Sequence, residues 1–297
     1  MMETASGNPT TPVRKGEDLD WPKLDCHLKS VLPYLEGEAE ISQFAGGKSN
    51  LTYRLKYAND DLVVRRPPFG AKAKTAHSMI REYRIMNQLK QVYTSVPETL
   101  YYSDDESIIG SEFYVMRKID GVLIGNQIPK KWKFTDEDTR RFCTRFWVKL
   151  IELHQVDPVA AGLGDFGKPE GYIERQVFGW NRRFEKVITP DVDHFSSVRE
   201  WLVAKLPAES ARHSILHGEF RIDNVILDEQ DPCNILAVLD WEICALGDPL
   251  MDLGNSLAYW IQDDDPPGLR NLAVQPSNAP GMLKRSEILE LYESRTG

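Results

Sequence analysis

From Leu51 to Tyr57 apolar and polar positions alternate, with Leu51, Tyr53, Leu55 and Tyr57 on one side. A period of two is the pattern of a half-buried strand. Asn59-Asp60-Asp61 then turns the chain into Leu62-Val63-Val64-Arg65-Arg66, so the two runs predict a hairpin. The period changes further on. Met79, Tyr83 and Met86 recur at helical offsets and predict a helix over Thr75 to Leu89. Glu82 falls on that same apolar face, three residues after Met79 and four before Met86. Phe113-Tyr114-Val115-Met116 after Gly110 predicts a further strand. Thr135-Asp136-Glu137-Asp138 has the acids of a helix start, ahead of Phe142, Phe146, Leu150, Leu153 and His154 at helical spacing. Gly162 to Gly167 interrupts as a loop before a second helix, Tyr172 to Val187. Val225 to Leu227 and Ile235 to Leu239 flank a turn-rich segment, which predicts another hairpin.

Two regions carry chemistry. Phe44-Ala45-Gly46-Gly47-Lys48-Ser49-Asn50 precedes the first hairpin, and its glycines would let backbone N–H groups approach an anion. Gly47-Lys48-Ser49 also ends like a Walker loop, but that motif needs a glycine at position 42, which is Ser42, and a helix after the lysine. An ordinary Gly-rich turn is the plainer alternative. The second region runs from His217 to Leu253. It contains His-Gly-Glu-Phe-Arg-Ile-Asp-Asn at 217–224, Leu-Asp-Trp-Glu at 239–242 and Gly-Asp-Pro-Leu-Met-Asp-Leu at 247–253. An acid at Glu219, an amide at Asn224 and an acid at Asp240 are the parts of a phosphoryl-transfer site: a proton acceptor and two oxygen donors for a hard cation. The second hairpin would carry Asn224 into its start and Asp240 out at its end.

An inward carboxylate at Glu82 wants a cation, and Arg65 is the natural partner; pairing with Arg81 or Arg84 on a solvated face is the alternative. Arg65, Arg66, Lys72, Lys74, Arg81 and Arg84 form a basic cluster that either attracts an anionic ligand or is simply solvated. Gly247-Asp248-Pro249 with Asp252 is expected to brace the site from behind, with a surface turn as the alternative for Asp248. Asp263 to Gly268 and Gln275 to Gly281 are breakers suited to a lid or rim.

With 297 residues the chain has room for two lobes. Its formal net charge of −9 disfavours nonspecific binding to nucleic acid or a membrane surface. Cys26, Cys143, Cys233 and Cys244 lack the close pairing of a zinc site or disulfide scaffold, which points to a reducing cytoplasm. The histidines are scattered, and His217 is expected to support its loop by hydrogen bonding. No apolar run reaches spanning length. Residues 1–22 are expected to be a mobile tail.

The block from His217 to Leu253 resembles the catalytic core of the aminoglycoside phosphotransferase and choline kinase group, similar in fold to protein kinases. It is most similar to the subgroup found alone in bacteria or joined to acyl-CoA dehydrogenases, where the block reads His-Gly-Asp-Tyr-Arg-Leu-Asp-Asn, Leu-Asp-Trp-Glu and Gly-Asp-Pro. The resemblance extends from about Phe44 to Gly297. It implies an α+β, bilobal fold: a small antiparallel β lobe with one helix over 23–119 and a larger, mostly helical lobe over 120–297, shortened relative to relatives that continue into further helices.

The resemblance also implies roles. ATP and Mg2+ are the cofactors. Glu219, Asn224 and Asp240 are catalytic, the last two as metal ligands. Gly46, Gly47, Lys48, Ser49, Asn50, Arg65 and Glu82 serve the phosphates. Main-chain groups around Met116, Arg117 and Lys118 form the hinge for the adenine edge. His217, Arg221 and Asp248 support the site, and Asp223 is structural. The acceptor is a hydroxylated small molecule, a hydroxyacyl-CoA-like catabolite or an aminoglycoside, with a functional link to acyl-CoA dehydrogenase. One position departs from the pattern. Glu219 stands where the subgroup has aspartate, which keeps the carboxylate but moves it outward by one methylene, so an impaired nucleotide-binding protein is the alternative to an active kinase.

Overall fold

The computed structural model describes residues 9–45, 49–70, 78–208 and 212–297. Its first part contains β1 (Thr10–Thr11), α1 (Trp21–Val31), β2 (Glu40–Phe44), β3 (Leu51–Lys56), β4 (Asp61–Arg66), α2 (Met79–Leu89), β5 (Thr99–Ser103), the single-turn α3 (Glu106–Ile109) and β6 (Phe113–Arg117). Among the described residues these strands form one antiparallel sheet in the order β1-β2-β3-β4-β6-β5. Tyr53 lies opposite Val64 and Leu55 opposite Leu62, so the alternating apolar residues share a face. That face packs with Phe113, Val115 and the α1 residues Leu24 and Leu28. The small lobe therefore has a second long helix that the sequence reading did not include. The other face is covered by α2, whose Met79, Ile85, Met86 and Leu89 join a larger apolar cluster with Tyr114.

The strand period decides where the basic residues go. Arg65 and Arg66 are neighbours on β4, so their side chains leave opposite faces. Arg66 is buried in the small lobe, where it donates to the Ile109 carbonyl at 2.8 Å and lies over the Phe69 ring. Arg81 donates to the carbonyls of Phe166 and Cys244, tying α2 to the other lobe, and Arg84 pairs with Asp165. Lys72 and Lys74 lie outside the described residues. The basic cluster read from the sequence is thus dispersed, and of its four described members only Arg65 enters the cleft.

The second part contains α4 (Asp136–Gln155), α5 (Tyr172–Val187), α6 (Ser196–Ala204), β7 (Ser214–Leu216), β8 (Val225–Leu227), β9 (Ile235–Val238), β10 (Ala245–Gly247), α7 (Pro249–Ala258), a short α8 (Pro267–Arg270) and α9 (Arg285–Thr296). Helix α4 begins as its sequence requires: the Thr135 hydroxyl accepts from the Asp138 N–H and the Asp138 carboxylate accepts from the Thr135 N–H, both at 3.1 Å. β8 pairs with β9 and β7 with β10, which sets the β7–β8 loop beside the β9–β10 loop. Those two loops hold the candidate chemistry. Phe220, from the first, is buried against Phe146 of α4 with ring centroids 4.5 Å apart.

Three sequence expectations change. Residues 10–17 do not form a free tail: β1 pairs with β2, and the fully buried Gln43 accepts from the Arg14 N–H at 2.9 Å and donates to Glu17, since a buried amide needs partners. Helix α2 begins at Met79 with Ser78 at its cap, while Thr75 to His77 lie outside the described residues. Gln275 is 1% exposed, not part of a lid; its Oε1 accepts from the Ile222 N–H at 2.9 Å and its amide donates to the Tyr259 carbonyl, so this segment packs behind the β7–β8 loop.

Candidate active site

The loop carrying Glu219 is held almost entirely through its backbone. Asp252, buried on α7, accepts the His217 N–H at 2.7 Å and the Gly218 N–H at 2.9 Å, one on each carboxylate oxygen. The braces expected from Gly247-Asp248-Pro249 and Asp252 therefore divide. Asp252 receives the loop, whereas Asp248 caps α7 by accepting from the Leu250 N–H at 2.8 Å. Gly218 has φ of +86°, and a Cβ there would lie 2.9 Å from Ile243 Cγ1, so glycine is required on both counts. His217 Nε2 is 2.9 Å from the Leu239 carbonyl, which makes Nε2 the protonated nitrogen and leaves Nδ1 to accept from the Glu219 N–H at 3.3 Å. Burial pushes its pKa down, so the ring stays neutral in that tautomer. Asn224 Nδ2 donates to the Glu219 carbonyl at 3.0 Å, which fixes the amide and leaves Oδ1 as its remaining acceptor. The Glu219 carboxylate is half-buried, with Oε1 3.3 Å from Arg221 Nη1. Burial raises its pKa; Arg221 opposes this, and the nearby acids Asp240, Asp223 and Glu242 reinforce it. Arg221 is in turn gripped by Asp223 through two hydrogen bonds of 3.0 and 2.6 Å.

Across the cleft stands one guanidinium among three acids. Arg65 Nε is 3.2 Å from Glu82 Oε2 without the alignment of a hydrogen bond, and Nη2 lies 3.3 Å from Asp240 Oδ1 and 3.2 Å from Glu242 Oε2. The inward Glu82 of the sequence reading meets the partner expected for it. It also accepts from the Tyr114 hydroxyl at 2.9 Å and the Asn50 amide at 3.1 Å. Burial works against the Arg65 charge, but the acids Glu82, Asp240 and Glu242 outweigh it and hold its pKa above the ordinary arginine value. Asp240 has φ of +70°, a left-handed conformation that aspartate tolerates better than most residues and that turns its carboxylate into the cleft.

Glu82 supplies a pH test. Burial pushes its pKa up to about 7 from an ordinary 4.5, against the pull of Arg65 and the Tyr114 hydrogen bond. The folded state then binds the Glu82 proton more tightly than the unfolded chain, so this group's contribution to stability is full below pH 4.5, falls as pH rises to about 7 and is level above. Glu82→Gln keeps an acceptor for Tyr114 and removes the titration. Thermal melts across that window are expected to show a drop in the wild type that is a few degrees larger than in the variant. Equal slopes would show that Glu82 keeps its charge in the folded state at both ends.

A cavity of about 380 Å³ runs between the lobes. Ser49, Arg65, Met116, Arg117, Lys118, Asp223, Asn224, Asp240 and Glu242 line it, with Val63, Met86, Leu239 and Ile226 among its apolar walls. Asn224 and Asp240 thus face one space, as the sequence reading required. Gly46, Gly47 and Lys48 lie outside the described residues. Asn50 takes a different place from the phosphate contact expected of it. It is 2% exposed, and its amide joins Glu82 to Glu242, the latter at 3.0 Å. Met116 to Lys118 do line the cavity, but the Arg117 N–H is spent on the Glu98 carbonyl and the Lys118 N–H on the Asp61 carbonyl, both at 2.8 Å. Sheet pairing on both sides consumes donors that a hinge has to leave open. Glu242, with contacts to both Arg65 and Asn50, had been read only as part of a motif. Its carboxylate two residues after Asp240 at a strand end was the available signal, but the turn after a left-handed Asp240 has no period from which a direction follows.

The donor set suits magnesium in part. Among the described residues there is no group of three or more His, Cys, Asp or Glu side chains arranged for a metal. Asn224 Oδ1 and the Asp240 carboxylate are two hard oxygen donors on one cavity, the small protein share that Mg2+ takes when phosphate oxygens and water complete its shell. Among the described residues no helix is long and apolar enough to cross a membrane.

Comparison with known proteins places this geometry. Residues 40–287 match the model of the phosphotransferase enzyme family known as APH. Mouse acyl-CoA dehydrogenase family member 10 is 34% identical over 95% of this chain and 26% of its own length. Human acyl-CoA dehydrogenase family member 11 is 30% identical over 91% of this chain and 34% of its own length. The chain therefore spans about a quarter to a third of these curated relatives. A Ralstonia eutropha structure described as a candidate aminoglycoside phosphotransferase superposes with a TM-score of 0.78 and 29% identity, covering 94% of this chain and 81% of that one. A ternary complex of streptomycin, ATP and APH(2")-IIa has a TM-score of 0.60 at 16% identity over 91% of this chain and 81% of that one, a likeness of fold alone. The sheet with its covering helix, the helical second lobe and the cleft between them are the protein-kinase-like α+β architecture of these neighbours, and the chain belongs to the phosphotransferase enzyme family.

Proposed function

We propose that the chain is an ATP- and Mg2+-dependent phosphotransferase that acts on a hydroxyl group of a small molecule. The observation that carries this reading is the convergence of Arg65, Asn224 and Asp240 on one cavity, with the Glu219 backbone tied to Asn224 at its edge. In this reading Glu219 accepts the hydroxyl proton, and the upward shift of its pKa by burial makes it a stronger base than an exposed carboxylate. Arg65 binds phosphate oxygens, which it can do bidentately and without losing its charge. Asn224 and Asp240 hold the metal; when bound, Mg2+ neutralises charge on the phosphate oxygens. For Asp240 to serve, Arg65 has to exchange that carboxylate for phosphate while keeping Glu82 and Glu242. Arg221 sits beside Glu219, its Nη1 3.3 Å from Oε1, and holds the carboxylate in place. The base edge meets the main chain at Ile119, just past the two spent N–H groups and also on the cavity wall.

A hydroxylated acyl thioester is favoured over an aminoglycoside as acceptor, because the relatives at 34% and 30% identity are acyl-CoA dehydrogenase family members in which the matching segment is a quarter to a third of the length, while the 29% identical structure described as a candidate aminoglycoside phosphotransferase keeps aminoglycosides in the test. A second reading, nucleotide binding without turnover, draws on Glu219 alone. The test is ATP consumption, with product identification, across hydroxyacyl-CoA thioesters, free hydroxy acids and aminoglycosides. Mg2+-dependent phosphorylation of a thioester or hydroxy acid is expected. Phosphorylation of aminoglycosides alone overturns the acceptor assignment, and tight nucleotide binding with no acceptor turned over supports the second reading.

A further inference from the structure

Tyr292, on α9, lies four residues after Ile288, and both are buried against α4. Its hydroxyl is 2.8 Å from Nδ1 of His154, and Nε2 of the same ring is 3.1 Å from Oδ2 of Asp252. The bond roles follow from the chemistry of the end groups. An ionised carboxylate only accepts, so His154 carries its proton on Nε2, and Nδ1 then accepts from the Tyr292 hydroxyl. Burial pushes the Tyr292 pKa up to about 12, which keeps it a donor. Asp252 has three donors to satisfy its charge away from water: His154 Nε2–H, the His217 N–H and the Gly218 N–H. A continuous line of hydrogen bonds therefore leads from the last helix to the loop that carries Glu219. None of the roles proposed for the cleft uses Tyr292 or His154.

We propose that Tyr292 and His154 are positioning residues for this loop, so that the docking of α9 sets the placement of Glu219. Asp252 can present one oxygen to each loop amide only while its carboxylate plane is held, and the His154 ring is the side-chain donor that holds it. Without the Tyr292 hydroxyl, buried Nδ1 has no donor, and the ring loses the partner that fixes its tautomer and rotation. A force that shifts α9 along α4 is then felt at the loop, which gives anything bound to that helix a route to the site.

Hydrogen exchange of backbone amides in the full chain tests the proposal without turnover, and Val64 in the β3–β4 hairpin serves as the internal control. Tyr292→Phe and His154→Leu are expected to speed exchange at His217 and Gly218 about fivefold while Val64 stays unchanged. His154→Gln, whose amide can donate to Asp252 and accept from Tyr292, is expected to remain within about twofold of wild type. Unchanged exchange at His217 and Gly218, or an equal rise at Val64, overturns the proposal; if His154→Leu fails to fold, Tyr292→Phe decides, since it removes a single oxygen. The kinetic consequence rests on the proposed phosphotransferase activity: Tyr292→Phe is expected to lower kcat while the KM for nucleotide stays the same. A wild type with no turnover on any acceptor defeats the functional reading and leaves the exchange result to decide the positioning role.

Discussion

Asp240→Asn is expected to cut turnover by about a thousandfold or more while the protein melts near the wild-type temperature. The substitution keeps size and shape and removes one negative charge. Asparagine tolerates the left-handed φ of +70° at this position as well as aspartate does, so backbone strain does not confuse the result as it would for alanine. Arg65 retains Glu82 and Glu242, which leaves the cleft with a balanced rather than an unpaired guanidinium. What is lost is the charged oxygen donor facing the phosphates. Steady-state kinetics with melting curves on the same samples checks the expectation. Turnover within tenfold of wild type would show that Asp240 does not hold the metal, and an equal loss of structure would show that its role lies in the Arg65 cluster instead.

Glu219→Gln is expected to lower kcat by about a thousandfold with the nucleotide KM unchanged, since a well-placed general base contributes on that order. The variant is also expected to lose the acidic limb of the pH–rate profile. In the wild type that limb lies above the ordinary glutamate range, because burial and the neighbouring acids raise the Glu219 pKa more than Arg221 lowers it. Activity is therefore absent at low pH, where Glu219 holds its proton, and rises as the group ionises. Glu219→Asp shortens the side chain by one methylene, and a displacement of about 1 Å can change the rate roughly a hundredfold. An active wild type whose rate changes within that range on Glu219→Asp agrees with catalysis by Glu219. A silent wild type switched on by Glu219→Asp identifies a chain whose binding machinery outlived its base.

How much of this was legible in the sequence depended on whether period or pairing decided the outcome. The β3–β4 hairpin, the inward face of α2 and the acid-rich start of α4 each follow from residues close together, and each forms where its pattern placed it. Glu82 could be assigned to Arg65 because a helix face and a strand face both have a direction. The basic cluster failed for the complementary reason: adjacency along β4 means opposite faces, and Arg66 left the cleft. Asn50, Glu242 and Gln275 lay beyond reach. Each sits in a segment without a period, and each finds its partner across a separation in sequence that no local rule spans. At the proposed hinge an apolar run marks a strand but not which of its main-chain groups sheet pairing consumes: the Arg117 and Lys118 N–H groups are taken by Glu98 and Asp61. The docking of residues 10–17 was missed because Val13 is the segment's one large aliphatic side chain, too few for a period, and the rest is held by β1 pairing and by the buried Gln43 amide.

The claim on which the rest depends is that a divalent ion and a nucleotide meet in this cleft through Asp240 and Asn224. Calorimetric titration of ATP into wild-type protein and Asp240→Asn, each with and without Mg2+, measures this directly. The expected result is wild-type affinity at least about tenfold tighter with Mg2+ and an affinity in the variant that hardly responds to it. Wild-type binding that is indifferent to Mg2+, or no binding of ATP at all, would contradict the account.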